Sequence, residues 1–167
     1  MGPKLKAWFD FQPSCIPYCK NAQFMEIDKD WYYWLQFPGK APMQIWIARK
    51  YFYDGASIPR FFWRKMGSPF HPVYWAGSLG HDHGYLTHVF ARNIMDEIIY
   101  QLVKQSSKTL PNSDLSEWEL KEIWFAVRNF GYFAYKNSNA DLQALSTYKT
   151  MCHLREDGEK FLQYLPS

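Results

Sequence analysis

The sequence feature that most constrains the fold of this chain is a pair of strand-like segments joined by a turn that contains two prolines. Residues 31–37 and 43–49 are rich in aromatic and other side chains that favour β-strands. Residues 38–42 between them read Pro-Gly-Lys-Ala-Pro, a composition typical of turns. The pattern predicts an antiparallel β-hairpin. Residues 24–27 are a candidate third strand, whereas residues 1–23, which contain three prolines, are expected to wrap over the surface.

Beyond residue 60 the apolar side chains change to a helical spacing. Pro72 suits the first position of a helix, and Trp75 and Leu79 follow at helical intervals. A second helix is predicted over Ala91–Gln105, because its apolar residues fall on one stripe: Ile94, Ile98 and Leu102.

A third helix is predicted to begin at Asp114–Glu117, which resembles a capping box, and to end near Lys136. We expect five apolar residues of this helix to face the core: Trp118, Ile123, Trp124, Val127 and Phe130. A short helix is also expected around Leu142–Leu154.

No internal repeat, low-complexity tract or linker divides the chain, and 167 residues suffice to bury a core. We therefore predict one α+β domain over residues 1–167, with a small antiparallel sheet in the N-terminal third packed on a mostly helical C-terminal part. Residues 1–60 are the strand-rich part and residues 61–167 the helix-rich part. No apolar run approaches the roughly 18 residues that span a bilayer, and the first residues lack the apolar core of a secretory signal. A soluble protein in the cytoplasm, or in an assembly built there, is expected.

Aromatic residues make up 20% of the chain, well above ordinary usage. One interpretation is a core filled by large rings, and the other is an aromatic surface that docks on a protein partner. The two interpretations are compatible. The net charge is +3 with lysines and arginines scattered, so the clustered basic face of nucleic-acid binders is missing and no nucleic-acid partner is predicted.

The three cysteines are an odd number, which argues against a disulfide framework. Four side chains could in principle bind zinc: Cys15, Cys19, Cys152 and His153. The Cys15–Cys19 spacing is looser than in a zinc knuckle and includes Pro17, so ordinary reduced thiols are the preferred interpretation.

The densest chemical signal is the stretch His81–Tyr85. On a helix His81 and Tyr85 share a face, and Asp82 points about 100° away. Imidazole moves protons near neutral pH because its unperturbed pKa is about 6.5, and a catalytic histidine needs its second nitrogen oriented by a carboxylate. Asp96 is the candidate for that role, since it lies on the inward stripe of the next predicted helix, where a lone carboxylate would be costly.

Other interpretations of these residues stay open. His81 could be a core histidine satisfied by Asp96 without any reaction. Arg92 precedes Asp96 by four residues and could pair with it. A divalent metal such as calcium or zinc is a third option, held by His81 and Asp82 together with neighbouring histidines: His83 and His88.

The stretch Tyr53–Arg60 joins the two halves of the chain. Asp54 and Ser57 can bond nearby backbone amides, and Arg60 offers a planar fork suited to a carboxylate. The loop is either a rigid corner with an internal ion pair or the border of a cleft that binds substrate. Ser57 lacks the Gly-x-Ser-x-Gly elbow of a nucleophile, and no P-loop or dinucleotide fingerprint is present.

Three motifs in order carry a resemblance to a known family. Asp54-Gly-Ala-Ser-Ile-Pro-Arg60, His81-Asp-x-x-Tyr85 and Arg92-x-x-x-Asp96 resemble the phage and bacterial family called domain of unknown function thirteen fifty-three, over roughly residues 45–105. The resemblance implies a phage or prophage gene, and hence a location in host cytoplasm or in the virion. It implies no particular activity.

The His-Asp centre is also similar to that of secreted phospholipases A. That similarity implies that His81 is the base, that Asp82 binds calcium, and that Asp96 and Tyr85 support the site. The sequence lacks the glycine-rich calcium loop and the bracing disulfides, so calcium would be short of its usual six to eight oxygens unless Asp54 contributed.

Two functional hypotheses follow from different classes. In the first, the protein is a small hydrolase in which His81 activates water and Asp96 orients His81. A cleft bordered by Asp54, Ser57 and Arg60 receives an ester, an amide or a cell-envelope component, and Arg92 binds substrate or supports the site. In the second, the protein is a non-enzymatic phage tail or virion accessory protein that contacts its partners through aromatic surface. The same polar residues then form a structural lock between sheet and helices.

Overall fold

The computed structural model describes residues 4–17, 25–53, 68 and 70–138. Six strands precede three helices in this part of the chain. The strands are β1 (Lys6–Trp8), β2 (Cys15–Pro17), β3 (Met25–Ile27), β4 (Trp31–Gln36), β5 (Met43–Ile47) and β6 (Phe52–Tyr53). The helices are α1 (Pro72–Thr87), α2 (Arg92–Thr109) and α3 (Glu117–Ser138). Small antiparallel sheets followed by packed helices confirm the predicted α+β class.

The predicted hairpin is formed by β4 and β5, which pair antiparallel from Trp31↔Ile47 to Leu35↔Met43. Gly39, in the connection, has a φ of 70°, a conformation that glycine adopts without strain. Alternate residues of β4 and β5 point inward and are buried: Trp31, Tyr33, Leu35, Ile45 and Ile47.

The N-terminal segment differs from its prediction. Instead of wrapping over the surface, it supplies β1, which pairs with β4, and β2, which pairs with β3. Ala7 and Phe9 are buried. β1 covers an edge of the hairpin that would otherwise be open, and Pro17 is tolerated because β2 is an edge strand.

The described residues therefore form two three-stranded sheets instead of the one predicted, in the orders β1-β4-β5 and β2-β3-β6. The predicted strand over residues 24–27 exists as β3, but it belongs to the second sheet.

The first two helices agree with prediction. α1 begins at Pro72, and the His71 ring accepts a hydrogen bond from the backbone N–H of Val73 at 3.3 Å. α1 is buried along most of its length, and its glycines allow α2 to approach closely. α2 extends four residues beyond its predicted end, to Thr109, with Ile98 and Leu102 fully buried.

The N-terminal cap of the third helix lies two residues later than predicted, at Ser116 instead of Asp114. The box consists of Ser116 and Glu119: the Ser116 N–H donates to Glu119 Oε2 at 2.8 Å, and the Glu119 N–H donates to Ser116 Oγ at 3.2 Å. The Asp114–Glu117 assignment was wrong because Ser116, not Asp114, precedes the first helical residue.

The predicted inward face of α3 is also partly wrong. Ile123 and Val127 are buried, but Trp118 is 66%, Trp124 36% and Phe130 48% exposed. α3 carries apolar side chains on more than one face, so hydrophobicity alone does not identify the side that packs on α1 and α2. None of the helices within the described residues combines the length and the hydrophobicity of a membrane-spanning segment.

Candidate functional site

The candidate site lies where the three helices meet. His81 and Tyr85 lie one turn apart on α1, Asp96 lies on α2 opposite them, and Arg128 reaches in from α3. The predicted approach of His81 to Asp96 is present, with Nε2 3.5 Å from Oδ1. The other ring nitrogen, Nδ1, lies 3.6 Å from Oδ1 of Asp82. Both distances exceed those of well-formed hydrogen bonds, so these are charge contacts, one carboxylate on each side of the ring.

Asp96 is the centre of this arrangement, and its side chain is completely buried. The Tyr85 hydroxyl donates to Oδ1 at 2.8 Å, and Arg128 Nη1 donates to Oδ2 at 3.3 Å. Arg92 Nη1 lies 3.6 Å from Oδ2, the helical pairing expected from the four-residue spacing. One buried carboxylate thus joins all three helices, and its charge is balanced by cations and a hydroxyl.

Arg128 is the member of the site that the sequence did not indicate. It is separated from Asp96 by 32 residues, and only the packing of α3 on α2 brings the two together. The sequence feature that could have indicated Arg128 is its position directly after Val127, a residue of the core. Arg92 has a second role as well, because its Nη1 donates to the backbone carbonyl of Arg128 at 2.7 Å.

The electrostatics of His81 follow from its two carboxylate neighbours. Burial by itself lowers the pKa of an imidazole, but Asp82 and Asp96 outweigh that effect, so the pKa of His81 is raised above 6.5. At a given pH the folded ring is therefore protonated more than a free imidazole is. A general base must instead be neutral before it takes a proton from water.

The neighbouring histidines lie in different surroundings. His83 is buried edge-on against the Tyr51 ring, with centroids 5.6 Å apart, and burial lowers its pKa to about 3. His88 ends α1 with a left-handed φ of 51° and packs on the Tyr135 ring. Within the described ranges no three His, Cys, Asp or Glu side chains are grouped as metal ligands would be. The calcium or zinc hypothesis for His81 and Asp82 stays a prediction.

Cys15 and Tyr53 form a second, partly buried polar pair, with Sγ 3.2 Å from the Tyr53 hydroxyl. Burial raises the pKa of the Cys15 thiol to about 11, so it stays protonated and is a poor nucleophile. Burial raises the pKa of Tyr53 too, and the charge of Asp82 adds to the increase. Several predicted residues lie outside the described part of the chain, and their roles remain predictions: Asp54, Ser57, Arg60, Cys19, Cys152, His153 and the helix around 142–154.

Solvent reaches the edge of the site but not its centre. His81 is 1%, Tyr85 5% and Asp96 0% exposed, whereas the Asp82 side chain is 13% exposed. The reacting nitrogens that the hydrolase hypothesis needs are thus enclosed. Asp82, Arg92 and Arg128, at the edge of the site, are in part exposed to solvent.

The chain matches a family model described as "Protein of unknown function (DUF1353)" over residues 25–127. The chain belongs to this family. No curated protein and no solved structure matches it significantly. The DUF1353 match extends beyond the expected 45–105 at both ends and includes the site residues of α1 and α2, but it ends one residue before Arg128.

Proposed function

We propose that the protein is a non-enzymatic assembly component in which the His81–Asp96 cluster is a structural lock between helices. The observation that carries this proposal is the position of the His81 ring, which is enclosed and has a carboxylate at each nitrogen. A hydrolytic base needs one nitrogen free to accept a proton from water, and it needs a neutral ring. Neither nitrogen of His81 is free in this way, and the raised pKa disfavours the neutral ring.

The lock acts by making the three helices depend on one carboxylate. Asp96 contacts Tyr85 of α1 and Arg128 of α3, and Arg92 adds a bond to the backbone of α3. Removing one partner of a buried ion pair leaves an uncompensated charge, which costs about 3–5 kcal/mol. The cluster therefore holds α3 in a fixed orientation on α1 and α2.

The exposed rings of α3 form the proposed docking surface. Four large apolar residues on this helix are exposed by about half or more: Trp118, Phe125, Phe130 and Tyr132. Aromatic side chains are enriched in protein interfaces and depleted from ordinary exposed surface. A phage tail or virion protein as partner, and a location in host cytoplasm or in the virion, belong to this proposal and are supported by the family resemblance alone.

The hydrolase remains the second candidate, and the exposure of Asp82 is the observation that favours it. Asp82 contacts His81 and is 13% exposed, so the water-facing group of such an enzyme would be Asp82, with His81 behind it. Asp54, Ser57 and Arg60 would then border the cleft. An ester, an amide or a cell-envelope component stays the substrate class, with Asp82 as the candidate calcium ligand.

Diethyl pyrocarbonate labelling of the native protein near neutral pH, read by mass spectrometry, separates the two candidates. The reagent modifies accessible neutral imidazoles. We expect modification of His71, which is exposed, and protection of His81 and His83 until the chain is unfolded. Modification of native His81 at a rate close to that of His71 would contradict the structural lock and favour the enzyme.

A further inference from the structure

The outer face of the β1-β4-β5 sheet carries aromatic rings where a solvent-facing sheet usually carries polar side chains. The side chains of β4 alternate, and Tyr33 and Leu35 are buried in the core. Tyr32 and Trp34 therefore lie on the opposite face, where they are partly exposed. Trp8 of β1 lies directly opposite Trp34 in the strand pairing and is partly exposed as well. The apolar clusters of the described core include none of these three outer rings.

The outer rings contact one another in a row. Trp8 and Trp34 are nearly parallel, with 13° between their planes and 6.1 Å between their centroids. Tyr32 lies edge-on to Trp34 at 6.1 Å, and it packs on Trp46 of β5 at 4.7 Å. Phe11, which is 49% exposed, lies edge-on to Tyr32 at 5.5 Å. We call the row of Phe11, Tyr32, Trp34 and Trp8 the aromatic platform.

Asp10 fixes the orientation of two rings of the platform. The Trp34 indole N–H donates to Oδ2 of Asp10 at 2.8 Å, and the Tyr32 hydroxyl donates to the same atom at 3.1 Å. An indole N–H lies in the plane of its ring, so the carboxylate lies beside the Trp34 ring and not over its face. Asp10 is exposed, and no described residue donates to its other oxygen, Oδ1. The platform thus combines oriented ring faces with a hydrogen-bond acceptor at their edge.

We propose that the aromatic platform binds a neutral glycan. A pyranose ring has a face of C–H groups and carries hydroxyls around its edge. Its C–H face can pack on Trp34 and Trp8 while an edge hydroxyl donates to Oδ1 of Asp10. The rings are oriented before the ligand arrives, so binding costs little side-chain entropy. This inference does not rest on the proposed function, because it uses neither the structural lock nor the rings of α3.

The charges of the platform favour a neutral ligand over the other ligands that stack on aromatic rings. Single-stranded nucleic acids also stack on rings, but their binding grooves are positively charged, and Asp10 would repel the phosphates. Lys6 lies two residues from Trp8 on the same face of β1, at the end away from Asp10. A strongly charged ligand would therefore meet repulsion at one end of the platform. The cores of protein interfaces are depleted of charged residues, whereas Asp10 is bonded directly to two of the rings.

Isothermal titration calorimetry of the full chain with neutral hexasaccharides tests the site, using cellohexaose, chitohexaose, maltohexaose and mannohexaose. We expect at least one of them to bind with a Kd of about 1 mM or tighter. Trp34→Ala should weaken that binding at least about tenfold, because it removes the central ring. Asp10→Asn should weaken it about threefold or more, because the hydrogen bond from the sugar is no longer charge-assisted. Phe125→Ala, which removes an exposed ring of α3, is the matched control and should change the Kd by less than about twofold.

The absence of binding by every hexasaccharide at about 5 mM overturns the inference. So does binding that Trp34→Ala leaves unchanged. Tighter binding of oligothymidylate than of any hexasaccharide would also overturn it and assign the platform to nucleic acid. Cross-strand ring pairs stabilise sheets as well, so thermal melting shows whether Trp34→Ala is folded. If it is not, Asp10→Asn and Phe11→Ala decide the question, and glycan binding that neither variant weakens contradicts the proposed site.

Discussion

At the scale of single residues, the molecule is organised by Asp96. Its place among apolar residues of α2 was enough to predict a fixed partner, and His81 and Tyr85 are indeed near it. Arg128 could not be predicted, because a contact across 32 residues depends on how α3 packs. The sequence likewise gave no sign that both nitrogens of His81 would face carboxylates, since Asp82 was expected to point away.

The pH dependence of stability tests the charge state of His81. An unfolded histidine has a pKa of about 6.5, and that of folded His81 is higher. The folded chain therefore holds the extra proton between these values. The contribution of His81 is fully present below about pH 6.5 and is lost as the pH rises through the raised pKa. Denaturant unfolding of the parent and of His81→Gln should give a stability difference that shrinks from pH 6 to pH 9, and a difference that grows would contradict this account.

His83 should act in the opposite direction. Its folded pKa of about 3 means that the unfolded chain takes up a proton first as the pH falls below about 6.5. Stability is therefore lost between about pH 6.5 and about pH 3. The urea midpoint of unfolding should therefore fall less steeply with decreasing pH in His83→Gln than in the parent. An unchanged pH dependence of the midpoint would show that His83 is not buried in its neutral form.

At the scale of elements, the positions of strands and helices could be predicted from local patterns, but the faces by which they pack on one another could not. The β4–β5 hairpin and the start of α1 at Pro72 follow from neighbouring residues and were confirmed. β1 was missed because a three-residue strand has little pattern of its own and forms only by pairing with β4. The exposed rings of α3 were wrongly predicted to be buried, because α3 carries apolar side chains on more than one face and the sequence does not show which face packs on α1 and α2.

Close packing of α1 on α2 predicts unequal effects of two glycine substitutions. A Cβ at Gly77 would overlap Val103 Cγ2, lie 3.1 Å from the Ile99 carbonyl oxygen, and meet backbone and a branched side chain that cannot yield. A Cβ at Gly84 would overlap Cε and Sδ of the flexible Met95 side chain and lie 3.1 Å from its Cγ, and it would meet no backbone atom as closely. Gly77→Ala should lower the free energy of unfolding by about 1–3 kcal/mol, and Gly84→Ala by less. Chemical denaturation measures both, and the reverse order would contradict the described packing.

The capping box of α3 predicts a smaller effect at the helix start. Ser116→Ala removes the hydroxyl that accepts from the Glu119 N–H and should cost about 1 kcal/mol of unfolding free energy. Asp114→Ala, two residues earlier, is the matched control and should change the free energy of unfolding by less than about 0.5 kcal/mol. Equal losses in the two variants would favour the capping box first predicted at Asp114.

At the scale of the whole molecule, the described residues form two apolar clusters that are joined by the polar lock. One cluster packs the inward faces of both sheets on α1 and α2, and the other packs α3 on the same two helices. The α+β class was predictable because strand and helix patterns separate cleanly along the sequence. The convergence of three helices on one carboxylate was not, because no local pattern fixes the orientation of α3.

The free energy of unfolding of His81→Ala near pH 6, beside that of the parent protein, tests the structural lock most directly. The lock predicts a loss of about 3–5 kcal/mol, because Asp96 loses one of its charge partners in a buried site. The melting temperature should fall by about 6–20 °C. His71→Ala, at the exposed start of α1, should cost about 1 kcal/mol. An unchanged or higher stability of His81→Ala would contradict the lock and show that the histidine is kept for chemistry.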